Sequence, residues 1–232
     1  MAGCEKWQTG CENCPQKSSY PASLVDGSSR NYLAKRELFT GVKDLTLITP
    51  SKWLADLTRS SFLREYPVTV RHNTINTEIF RPTPSNFRAR YGLDGKFIVL
   101  GVANVWNRNK GLDDFVRLSG MLDPEKFAIV LVGVTPKQLA ALPKAITAIT
   151  RTNNQQELAQ IYTASDVLLN PTYEDNYPTV NLEAEACGIP VITYNTGGCP
   201  ETVRDERSVI VPCGDLEAVK RILETKNGSP RN

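Results

Sequence analysis

The chain has 232 residues, 41% of them apolar and 22% charged, with a formal net charge of +2. This composition supplies a sizeable core for one large domain, or for one domain plus part of another. The near-neutral balance lacks the field of a nucleic-acid binder, and no basic run is interleaved with aromatics. The longest apolar runs, 97–103 and 127–134, are too short to span a bilayer. Neither a signal-peptide nor a transit-peptide pattern opens the sequence, so a cytoplasmic setting is expected, with the inner face of a membrane as the alternative.

In chain order, residues 1–40 are polar and show little periodicity, with loop expected over 18–30 and a short helix over 31–39. Lys17, Arg30, Lys35 and Arg36 give this region either a solvated basic face or a peripheral contact with a membrane surface. Cys4, Cys11 and Cys14 crowd the first fifteen positions, the last two as a CxxC. They are a zinc candidate lacking a fourth ligand, or else a reduced cluster. A strand is expected over 45–49, a helix capped by Ser51 over 52–62, and a second strand over 67–71. Pro82-Thr83-Pro84 marks a linker, which puts a domain boundary between 82 and 83.

From Lys96 onward strands and helices alternate. Strands are expected at 97–102, 127–132, 145–149, 167–170, 191–194 and 209–211, with helices at 112–121, 136–142, 155–164, after Pro178, and 216–224. This spacing predicts an α/β fold with a Rossmann-like parallel sheet covered by helices on both faces. The ligand crevice of such a sheet lies outside the carboxyl ends of the strands. The chemistry-bearing residues cluster at those ends. Arg108 and Lys110 follow the first strand and precede a helix N-terminus, Glu174 and Asp175 follow the fourth, and Gly197-Gly198 follow the fifth. Glu183 lies eight residues beyond Asp175, inside the expected helix. The sequence contains no GxGxxG, GxxxxGK[ST] or GxSxG, and its one histidine is His72.

The segment Asp175…Glu183-Ala-Glu-Ala-Cys-Gly-Ile-Pro-Val-Ile resembles the paired-acid signature of family 4 glycosyltransferases. Residues 107–111 look like that family's diphosphate-binding loop, and Thr196-Gly-Gly…Pro-Glu201 like its glycine pair followed by Pro-Glu. The resemblance covers about residues 45–225. It implies a GT-B fold and a retaining enzyme that uses no metal or other cofactor, with a nucleotide-diphosphate sugar as donor and a glycan or lipid-linked acceptor. By the same resemblance Lys110 and Arg108 hold the donor diphosphate, and Glu183 accepts from the ribose hydroxyls. Asp175 (or Glu174 beside it) binds the transferred sugar, and Asn176, Tyr177, Pro178 and Thr179 present the helix start. The family's arginine after the glycine of its first strand is absent here, where Val102-Ala103 follow Gly101, and Arg108 is taken as its substitute.

A complete GT-B enzyme has two Rossmann-like domains. Residues 1–82 resemble the tail of the first, acceptor-side domain, and 83–232 the nucleotide-sugar-binding domain. Three readings therefore stand: a glycosyltransferase of polysaccharide or lipopolysaccharide biosynthesis, a donor-binding fragment or subunit inactive alone, and a non-catalytic nucleotide-binding protein.

Overall fold

The computed structural model describes residues 4–18 and 22–228. The chain divides into two compact units, Met1–His72 and Asn73–Asn232. Among the described residues no helix is long and apolar enough to cross a membrane.

The first unit holds α1 (Ser28–Phe39), β1 (Leu47–Thr49), α2 (Lys52–Arg59) and β2 (Val68–Val70). The strands pair in parallel, with Leu47 opposite Val68 and Thr49 opposite Val70. Ser51 caps α2 as expected, its hydroxyl accepting the Leu54 N–H at 3.1 Å. The helix stops at Arg59 instead of 62, because the Ser60 and Ser61 hydroxyls donate to the carbonyls of Asp56 and Thr58 and compete with its continuation. Helix α1 begins earlier than expected, at Ser28, whose N–H donates to Asp26 Oδ1 at 2.9 Å. Of the loop expected over 18–30, residues 19–21 lie outside the described residues. His72 sits with Nδ1 2.8 Å from the Pro50 carbonyl. Cys4, Cys11 and Cys14 are half-buried free thiols. Among the described residues no three His, Cys, Asp or Glu side chains are arranged to hold a metal ion.

The second unit opens with residues 73–82, whose Ile75, Ile79 and Phe80 pack into its core. It continues through α3 (Phe87–Tyr91), β3 (Phe97–Val102), α4 (Leu112–Ser119), β4 (Phe127–Val132), α5 (Pro136–Ala141), β5 (Ile146–Ile149) and α6 (Gln155–Ala164). The remainder is β6 (Val167–Asn170), α7 (Thr179–Ala186), β7 (Val191–Tyr194), β8 (Val209–Val211) and α8 (Leu216–Asn227). All six strands from β3 onward are parallel, in the order β5-β4-β3-β6-β7-β8.

The strands are short apolar runs because both faces are covered. Ile98 and Leu100 point into one core with Tyr162 and Ala184, while Val99 points into the other with Phe115, Leu118, Tyr194 and Leu223. Helices α6 and α7 thus cover one face, and α4 and α8 the opposite one. The strand order reverses between β3 and β6, and the crevice of an open α/β sheet forms at such a switch point.

Candidate functional site

Segments at the carboxyl ends of β3, β5 and β6 enclose a cleft of about 780 Å³ in the second unit. Lys110, Asp175, Tyr177, Pro178, Thr179 and Glu183 all line it. These are six of the residues singled out in the sequence, drawn together from two separate stretches.

Lys110 is delivered by a tightly braced turn. Trp106 is buried, with its ring edge-on to Phe115 at 5.4 Å and its indole N–H donating to the Val132 carbonyl at 2.8 Å, so it anchors the loop by packing. Asn107 then caps a 3-10 turn over Arg108–Lys110, its Oδ1 accepting the Lys110 N–H at 3.0 Å. Gly111 ends the turn with φ +74°, and a Cβ there would lie 2.3 Å from the Pro171 carbonyl oxygen. Only glycine lets this turn press against the loop after β6. The result is an ion pair across the cleft: Lys110 Nζ lies 2.5 Å from Asp175 Oδ2.

The acidic loop 171–178 is held from both sides. The Tyr173 N–H donates to the Asn109 carbonyl at 2.7 Å, and Thr172 Oγ1 to the same oxygen at 3.1 Å. On the far side Thr196 Oγ1 donates to the Thr172 carbonyl, and the Gly198 N–H to the Asp175 carbonyl at 3.0 Å. Gly197 has φ +52°, and a Cβ on it would lie 2.1 Å from that same Asp175 oxygen. The glycine pair therefore makes its close approach to the backbone of Asp175, and neither Gly197 nor Gly198 lines the cleft. Asp175 Oδ1 accepts the Tyr177 N–H at 3.1 Å, so both carboxylate oxygens are engaged.

Helix α7 begins at the cleft wall. Its N-cap is Pro178, no side chain caps its first turn, and that turn holds no acidic residue. With no side chain capping it, the positive end of the helix dipole makes this an anion-favouring edge. One turn further, Glu183 reaches the cleft with Tyr162 donating to its Oε2 at 2.9 Å. Burial pushes the Glu183 carboxyl up from its ordinary value, against hydrogen bonds from Tyr162 and Thr179 that lower it. Tyr162 itself is fully buried and held protonated by burial and by Glu183. Sequence reasoning passed over Tyr162, although its place on the buried face of α6 two turns after Asn154 was readable. Beneath α7, Asn170 donates to Asn181 at 2.9 Å and Asn181 to Thr202 at 2.8 Å, a satisfied buried chain.

The remaining sequence candidates lie outside the lining. Arg108 is exposed on its 3-10 turn, Asn176 is exposed, and Glu174 is half-buried beside the cleft, its carbonyl accepting from Thr172. Of the two neighbouring acids, it is Asp175 that faces the cavity. The opposite rim, from Arg151 to Asn154 after β5, was not anticipated; it is polar and includes the N-cap of α6, where Asn154 accepts the Glu157 N–H at 2.8 Å.

A cation and a helix start without a side-chain cap suit phosphate oxygens. Two carboxylates at different depths suit hydroxyl donors. Fold and cleft together define a Rossmann-like α/β domain of the kind found in GT-B glycosyltransferases. The chain belongs to the group 1 glycosyl transferases, whose family model matches residues 96–225.

Among curated relatives, the D-inositol 3-phosphate glycosyltransferase of Streptomyces bingchenggensis is 29% identical over 233 residues, covering 90% of this chain and 51% of the relative. The chain spans about half the length of the curated relatives it matches. Among solved structures, sucrose-phosphate synthase of Thermosynechococcus elongatus is similar with a TM-score of 0.71 at 22% identity, over 88% of this chain and 55% of that one. HepE of Anabaena, solved in complex with UDP-glucose, has a TM-score of 0.70 at 19% identity, over 85% of this chain and 58% of its own.

Proposed function

We propose that the second unit binds the donor of a sugar-transfer reaction, a nucleotide-diphosphate sugar, in the cleft between Lys110 and Glu183. The observation that carries this reading is the convergence of Lys110, Asp175, Glu183 and the uncapped start of α7 on one cavity at the switch point. Lys110 and the α7 N–H groups take the diphosphate, with Arg108 at the mouth adding positive charge. Glu183, oriented by Tyr162, accepts from the ribose hydroxyls, and Asp175 accepts from hydroxyls of the transferred sugar. Pro178 and Thr179 set the start of α7. Glu174, Asn176, Gly197 and Gly198 act on the donor through the position of the Asp175 loop.

In this scheme catalysis is electrostatic. The cations and helix dipole stabilise the charge that develops on the departing nucleoside diphosphate, and they are already in place before the bond breaks. The transfer proceeds with retention, and the acceptor is a glycan or lipid-linked molecule reached at the cytoplasmic side of a membrane. The first unit serves as part of an acceptor-side domain and the second as the donor domain; residues 73–82, which the sequence reading assigned to the former, pack into the core of the latter. A second reading, a donor-binding portion that needs further polypeptide to complete transfer, is favoured by the half-length match to the relatives.

Calorimetric titration with UDP, GDP and ADP and their sugars tests donor binding. Assay of sugar transfer or donor hydrolysis by the chain alone separates the two readings. Saturable binding with turnover supports the enzyme, binding without turnover supports the donor-binding portion, and no binding of any nucleotide excludes both.

A further inference from the structure

Away from the cleft, on the opposite face of the sheet, Asp114 is a charged side chain that the site has not used. It lies in the first turn of α4 and is 3% exposed. One of its oxygens, Oδ2, accepts two phenolic hydroxyls at once: Tyr173 at 2.8 Å and Tyr194 at 2.8 Å. The other, Oδ1, has the Arg117 guanidinium 3.7 Å away. The two rings stack edge to face at 5.6 Å. A buried carboxylate is an expensive way to hold a core together, since apolar residues of similar volume often do as well or better. What this one achieves is positional.

Of the three elements it joins, two carry the ion pair and the third, the end of β7, leads into the turn that braces Asp175. Asp114 is one turn from Lys110, and its own N–H donates to the carbonyl of Gly111 at 3.1 Å. Tyr173 is two residues from Asp175. Tyr194 ends β7, immediately before the turn whose Gly198 holds the Asp175 carbonyl. From these contacts we infer that Asp114 is a positioning residue of the donor site, holding the turn that carries Lys110 in place against the 171–178 loop through Tyr173 and Tyr194. The inference rests on the donor-site reading above. Burial first, and then the bond to Asp114, push the Tyr173 phenol up to about 12, so the hydroxyl remains a donor throughout the working range of pH.

The test is Tyr173→Phe, which keeps the ring and removes one hydroxyl from a residue that is 42% exposed, with Asp114→Asn as the companion variant. The probes are UDP and UMP, or GDP and GMP where the wild-type chain prefers guanine. Positioning of Lys110 acts on the terminal phosphate, so each variant is expected to bind the diphosphate about three- to tenfold more weakly and the monophosphate as before. In a Lys110→Ala background, Tyr173→Phe is expected to have no further effect, because its route to the ligand is gone. An unchanged ratio of diphosphate to monophosphate affinity overturns this inference alone, whether both affinities stay the same or fall together with the melting temperature. Failure of the wild-type chain to bind any nucleotide overturns the donor-site reading and this inference with it.

Discussion

Lys110 and Asp175 stand 65 residues apart in the chain and 2.5 Å apart in the fold, paired across the point where the strand order reverses. The pair is only partly shielded from water, so it contributes little to stability and its meaning lies in the ligand. The carboxylate neutralises Lys110, the cation that lines the cavity from the loop after β3. In the proposed function a diphosphate takes Lys110 over from Asp175, which leaves Asp175 free for sugar hydroxyls.

That exchange separates two substitutions. Lys110→Ala is expected to weaken nucleoside diphosphate binding by roughly tenfold to a hundredfold, the worth of a charge-assisted hydrogen bond. Asp175→Asn removes the competitor for the ammonium, so the diphosphate alone binds as well as or up to several-fold more tightly, while the additional affinity of the nucleotide sugar is lost. Titration of both variants with a nucleoside diphosphate and its sugar distinguishes the roles. Equal effects of the two substitutions on both ligands would show that the pair acts as one structural unit.

Glu183 carries an opposition between stability and binding. Its pKa is raised above the ordinary 4.5 because burial disfavours the carboxylate. Above pH 4.5 the unfolded chain has lost this proton while the native state still retains it, so this group lowers stability as pH rises until its folded pKa is passed. Glu183→Gln removes that penalty and leaves an oxygen for the Tyr162 hydroxyl. The melting temperature at neutral pH is expected to rise by about 1–4 °C while nucleotide affinity falls about tenfold. The proposed role of Glu183 as an acceptor needs its carboxylate, so affinity should fall on acidification with a midpoint above 4.5, and this dependence should vanish in Glu183→Gln. Thermal melts and titrations across pH check both halves.

Gly197→Ala places a methyl group where the Asp175 carbonyl oxygen already sits, 2.1 Å away, at a residue with φ +52°. A loss of about 2–4 kcal/mol of stability is expected, since backbone has to move and the left-handed conformation is strained for alanine. The movement falls on the loop carrying Asp175, so sugar-dependent affinity should fall further than diphosphate affinity. Denaturant unfolding together with calorimetry would show it; wild-type stability in this variant would mean the two loops are not pressed together.

The second unit was legible because its physics is local. Buried strands read as short apolar runs, and β6, β7 and β8 fall on the residues the pattern marks. Helix ends were harder: α2 stops early at a serine pair and α8 runs on to Asn227, since side-chain bonding and fraying leave little trace in periodicity. Of the site candidates, Lys110 and Asp175 are marked by their places after strands and Glu183 by its spacing from Asp175 within a helix, and all three line the cleft. Tyr162, Asp114 and the rim at Arg151–Asn154 carry no such mark, because their significance lies in partners distant in sequence. The glycine pair was read as a ligand surface, yet Gly197 meets Asp175 backbone, a contact that only the folded loops create.

Calorimetric titration of the chain with UDP-sugars, GDP-sugars and ADP-sugars decides whether the cleft binds a nucleotide-diphosphate sugar. Saturable one-site binding below millimolar ligand is expected for at least one base, weakened in Lys110→Ala and in Glu183→Gln. Absence of binding by every nucleotide at millimolar concentration, in a chain shown to be folded, would contradict it.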